Sequence, residues 1–162
     1  MKPRSARVVE LLNDALTFEL TVINSYFLTA RMLDNWGLPK LGKVFYELSV
    51  GEMKDADELI KRILFFEGHP NLQKLNSLTV GEDPQEMLEL ARDSEYSASK
   101  QFNDSAGECR ELGDHATAEL FERMALDEEE HADWFEGQLD AIRLAGLENY
   151  LAQQVAPGEA PA

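Results

Sequence analysis

Apolar residues recur at helical spacing from end to end, so the chain reads as helices throughout. The first helix runs from about Ser5 to Trp36, with Val8, Val9, Leu11, Leu12, Leu16, Leu20, Ile23 and Phe27 at that spacing. Gly37 and Pro39 stop it. A second helix extends from about Lys40 to Glu67 and ends at Gly68-His69-Pro70. Asn71 to Asp83 reads as a mostly extended connection, long for a link between adjacent helices. That length lets the chain cross the bundle and begin a parallel third helix. Pro84 suits the first turn of that helix with Asp83 as its N-cap, and the helix reaches about Leu112. Gly113 closes it, Asp114 caps a fourth helix to about Leu144, and Gly146 breaks the pattern. Leu147 to Val155 makes a short fifth helix. The expectation is an all-α fold: a four-helix bundle with one long crossover and a short C-terminal helix.

Composition narrows the setting. A chain of 162 residues is one domain with room for a real core. No apolar run approaches the roughly 20 residues that span a bilayer, so no membrane partner is expected. The basic residues Lys2, Arg4 and Arg7 are followed by Glu10, Asp14 and Glu19, which makes an amphipathic helix rather than an export signal. Cys109 is the only cysteine, which excludes an internal disulfide framework and fits a reducing, cytoplasmic setting. A formal net charge of −16 repels nucleic acid and favours cations, though charge alone identifies no metal protein.

Two stretches share one layout. Glu19 precedes Glu52 by the same interval that separates Glu95 from Glu128. Glu52 opens Glu-Met-Lys-Asp-Ala-Asp, and Glu128 opens Glu-Glu-Glu-His-Ala-Asp. Residues i and i+3 share a helix face, so Glu52 with Asp55, and Glu128 with His131, can each aim two ligands inward. Buried carboxylates are costly unless compensated, and a pair of divalent metal ions supplies the compensation. Glu52 and Glu128 are expected to bridge two metals, with Glu19 and Asp55 completing one site and Glu95 and His131 the other. Carboxylates accept both oxidation states of iron, and imidazole adds a neutral nitrogen. His69 beside a helix stop and His115 at a helix start read as structural or exposed residues, while Glu129 and Glu130, on other faces than Glu128, read as neighbours behind the ligands or as surface residues.

These segments resemble bacterioferritin, the haem-containing branch of the ferritin-like family. The resemblance covers nearly the whole chain: Glu19 in Phe-Glu-Leu-Thr-Val-Ile-Asn-Ser-Tyr-Phe-Leu, Glu52-Met53-Lys54, the run from Arg62 to Gln73, Gly81-Glu82-Asp83, Glu128 to Trp134, and Gly146 to Leu151. It implies a ferritin-like di-iron domain over residues 1–155; the tail over 156–162 has nothing to bury and by composition is expected to be disordered. It implies a hollow cage of twenty-four subunits that oxidises ferrous iron at the di-iron centre, stores ferric mineral, and takes electrons from a redox partner for iron release. It also implies haem b between two subunits, held by a methionine from each; the matching residue is Met53, with Leu20, Ile23, Phe27 and Tyr46 near the slot.

One position departs from the family. Where relatives usually carry His, this chain has Asp55, a shorter and negatively charged ligand. If it binds, the box holds five carboxylates and one imidazole, favouring ferric iron; if it does not reach, one site is weak and ferroxidase activity impaired. Glu47 and Gly51 stand where some relatives place a His and an acid facing the cavity. Two other readings stay open: the haem-binding subunit of a mixed cage, and a rubrerythrin-like di-iron redox enzyme. A single cysteine cannot supply the Cys-x-x-Cys module that rubrerythrins usually carry.

Overall fold

Local chemistry sets the helix ends. The computed structural model describes residues 1–155; the stretch 156–162, where the sequence predicts a disordered tail, lies outside them. α1 (Ala6–Asn35) starts where the Ser5 hydroxyl accepts the Arg7 N–H. α2 (Pro39–Phe65) opens on a proline, whose missing N–H is no loss in a first turn. α3 (Pro84–Glu111) adds a carboxylate cap to the same device: Asp83 accepts the Glu86 N–H at 2.9 Å, and Glu86 accepts the Glu82 N–H at 2.7 Å. α4 (His115–Ala145) is capped by Asp114, which accepts the Thr117 N–H at 3.1 Å. α5 (Leu147–Ala152) follows directly after Gly146.

These bounds lie close to the predicted ones, with the largest differences at the ends of α2 and α5. α2 stops at Phe65 because Glu67 takes a left-handed φ of 57° and the Gly68 N–H folds back onto the Ile63 carbonyl at 2.9 Å. A Cβ at Gly68 would sit 2.9 Å from Val9 Cγ1 on α1, so this close approach requires glycine.

α1 packs along α2 and α3 along α4, giving two helical hairpins. The connection between them climbs along α1: the Asn71 N–H donates to Asn13 Oδ1 at 2.8 Å and the Asn76 N–H to Thr21 Oγ1 at 2.9 Å. Arg7 meets Glu108 and Tyr26 meets Glu95, so α3 descends antiparallel to α1 and therefore runs parallel to α2. This is the crossover topology predicted from the length of the connection. Arg62, near the end of α2, reaches Asp114 at 3.0 Å and Thr117 Oγ1 at 2.9 Å, which fastens it to the start of α4. Among the described residues no helix is long and apolar enough to cross a membrane.

The interior has two apolar clusters rather than one. The first gathers Val8, Leu12, Leu16, Leu59, Phe102 and Phe121; the second gathers Tyr26, Leu33, Phe45, Leu88, Phe135 and Ile142. On every long helix, one glutamate falls in the gap between the segment feeding one cluster and the segment feeding the other. These are Glu19, Glu52, Glu95 and Glu128, and all four are buried. The bundle thus has a polar waist between two apolar ends.

Candidate metal centre

The waist is built from one side chain per helix plus a second from α4. Glu19, Glu52 and Glu95 are each 1 % exposed and Glu128 is 2 % exposed. His131, one helical turn after Glu128, is half-buried and turns its Nδ1 inward. That nitrogen lies 3.3 Å from Glu52, 3.3 Å from Glu128 and 4.0 Å from Glu95. Glu52, Glu95, Glu128 and His131 each bring one ligand atom into a group whose members lie within 4.8 Å of one another. Glu19 and Asp55 stand outside that group of four. Asp55 is half-buried on the α2 face one turn beyond Glu52.

Of the four buried carboxylate oxygens without a hydrogen-bond partner among the described residues, three lie at the waist, Glu19 Oε1 and both oxygens of Glu52; the fourth is Asp114 Oδ2 at the α4 cap. A buried polar atom left unpaired costs about 1–3 kcal/mol, more when charged. Burial raises the carboxyl pKa of Glu19, and the charges of Glu52, Glu128, Asp55 and Glu95 push it further up. Glu52 is raised mainly by burial, against the pull of His131. Glu95 is raised by burial and then by Glu128. Burial and the acids Glu52, Glu128, Asp127 and Glu58 push Asp55 up to about 7. Burial works against the imidazolium of His131, yet its contacts with Glu128 and Glu52 outweigh that and raise its pKa to about 11. The pocket therefore gathers more carboxyl groups than its one imidazole can keep ionised, and the acids hold protons to higher pH than free carboxyls do. Oxygen-rich donors with one imidazole suit divalent first-row metals, and the orphaned oxygens are where such cations fit.

One contributor carries no metal-ligand spacing. The Tyr26 hydroxyl donates to Glu95 Oε1, and burial followed by the charge of Glu95 raises its own pKa. It lies two turns along α1 from Glu19, on the same face, which is the only trace it leaves in the sequence. Tyr26 also packs edge-on to Phe45, with ring centroids 5.5 Å apart, so it joins the waist to the second apolar cluster. His69, His115, Glu129 and Glu130 are all exposed, away from the waist, as their positions on the helices predict.

A separate apolar surface lies on α1 and α2. Met53 is 54 % exposed, Phe27 49 % and Tyr46 42 %, while Leu20 and Ile23 are partly buried. The Phe27 and Tyr46 rings lie 6.4 Å apart, and the Arg31 guanidinium sits 4.9 Å over Tyr46.

The ferritin-like domain family matches residues 9–145. A bacterioferritin of Brucella melitensis is 42% identical over 153 residues, covering 94% of this chain and 95% of that protein. One from Rhodobacter capsulatus is 42% identical over 155 residues, covering 96% of each. One from Mycobacterium avium is 41% identical over 148 residues, covering 91% of this chain and 93% of that protein. With a crossover bundle, a carboxylate waist and this likeness over nearly its whole length, the chain belongs to the bacterioferritin family of ferritin-like proteins.

Proposed function

We propose that this chain is an iron-storage subunit that oxidises Fe(II) to Fe(III) at the centre formed by Glu19, Glu52, Asp55, Glu95, Glu128 and His131. The observation that carries the reading is the set of deeply buried carboxylates with unpartnered oxygens beside an imidazole. Ferrous iron is the substrate, and dioxygen or peroxide is the acceptor of its electrons. Glu52 and Glu128 come from different hairpins and would serve both metal positions, with Glu19 and Asp55 on one side and Glu95 and His131 on the other. Tyr26 fixes the orientation of Glu95. The apolar clusters above and below restrict water, which strengthens every charge interaction at the waist. Entering cations displace the protons that burial would otherwise keep on the acids.

Glu52→Gln and Glu128→Gln are expected to abolish the fast phase of ferrous oxidation, followed by ferric absorbance; wild-type rates in both would overturn the assignment. Asp55→His should raise the initial rate, and an unchanged rate would mean that Asp55 is not limiting.

The exposed Met53 with Phe27 and Tyr46 supports haem b held between two copies of the chain. Met53 of each copy would hold that haem, and the haem would supply one-electron transfer for iron release driven by a redox partner. Met53→Leu should remove the Soret band after reconstitution, with retention of the band and of haem stoichiometry as the contrary result. Assembly into a hollow cage of twenty-four chains predicts elution far above a dimer of the 18.3 kDa subunit. A second reading, the haem-bearing subunit of a mixed cage, is favoured by Asp55 together with Met53. Efficient mineral loading by the isolated chain would exclude it.

A further inference from the structure

The two ends of the waist differ in one ligand, and the difference is chemical rather than one of length. His131 turns Nδ1 inward, to 3.3 Å from both Glu52 and Glu128. That nitrogen is bonded to Cγ, as the carboxylate oxygens of an aspartate are. An aspartate one turn after Glu52 therefore has nearly the reach of an Nδ1-bound histidine. What changes is charge and hardness. Beside α4, the gathered set Glu52, Glu95, Glu128 and His131 includes a neutral nitrogen. Beside α1 and α2, Glu19 and Asp55 offer oxygen only, with Glu52 and Glu128 shared. Glu19 keeps an unpartnered oxygen 1 % exposed on that same side.

We propose that the centre binds its two metal ions unequally, with a tight position for a borderline divalent ion at His131 and a weaker, all-oxygen position at Asp55 that selects hard, highly charged cations such as ferric iron. This rests on the reading of the waist as a metal centre. Imidazole raises affinity for cobalt and zinc, whereas oxygen-only sets favour manganese and trivalent ions. The all-oxygen side accordingly holds oxidised iron in preference to ferrous iron and slows its transfer to the mineral.

The test is anaerobic titration of the iron-free assembled protein with Co²⁺, followed by ligand-field absorption and calorimetry. The expected result is one tight ion per subunit and a second bound at least about tenfold more weakly. With Mn²⁺ the gap should narrow. Asp55→His should bring the second Co²⁺ to within about threefold of the first. Asp55→Asn keeps the side-chain volume and should lose the second step while retaining the first, which covers the case in which the histidine variant does not assemble. Two equal Co²⁺ steps in the wild type, or a gap unchanged in the variants, overturn this inference and leave the metal centre standing. Failure of any ion to bind overturns the metal centre as well.

Discussion

The apolar ends of the bundle and its polar waist are held by opposite physics. At the ends, Phe102 stacks on Phe121 with centroids 6.2 Å apart and meets Phe18 edge-on, among aliphatic and small neighbours, so the contacts are apolar and add to stability. At the waist, four glutamates are buried as deeply as those rings, yet three of their oxygens have no partner. Burial depth by itself does not mark a stabilising residue.

The sharpest way to break the contrast is to cut one residue from each region. Phe121→Ala should cost about 3–5 kcal/mol, seen as a lower guanidinium midpoint with or without metal. Glu19→Leu should do the reverse in the metal-free protein, stabilising it by about 1–3 kcal/mol while weakening metal binding. A destabilised Glu19→Leu protein would mean that the waist is already satisfied.

The pH dependence separates the regions without mutation. Raised carboxyl pKa values at Glu19, Glu52 and Glu95 mean that the folded, metal-free protein holds protons the unfolded chain releases. Stability therefore falls as pH rises from 4.5 through the raised values, and Asp55 adds to the fall between 3.8 and about 7. His131, raised from 6.5 to about 11, contributes stability that is fully present below 6.5 and is lost as pH rises through about 11. Both trends have one sign: the metal-free protein should unfold more easily at about pH 8 than at about pH 6, by chemical denaturation. Metal loading should flatten or invert that slope, because metal binding releases the same protons. The smallest effect belongs to neither region. Asp83→Ala, which removes the α3 cap, should lower stability by about 1 kcal/mol equally with and without metal.

Much of the fold was legible because it is written in local signals. Pro84 after Asp83, Gly113 before Asp114, and Gly146 each mark a boundary that short-range chemistry imposes. The crossover was legible from length. The carboxylate waist could be read because four glutamates recur at matched intervals, and the structure brings Glu52, Glu95, Glu128 and His131 together. Tyr26 could not be read in that way: its hydrogen bond to Glu95 spans two helices far apart in sequence, and a tyrosine on an apolar face resembles any core aromatic. The Arg62–Asp114 bridge was hidden for the same reason, since Asp114 reads as an ordinary helix cap. Asp55 shows a further limit. The sequence marks it as both shorter than histidine and negatively charged; with His131 approaching through Nδ1 the difference in reach shrinks and the difference in charge remains.

The waist draws its acids from both hairpins, Glu19 and Glu52 from the first and Glu95 and Glu128 from the second. Neither hairpin alone encloses the pocket. A chain that has emerged only through α3 lacks Glu128 and His131, so the proposed metal centre would be complete only once α4 has joined the other three helices.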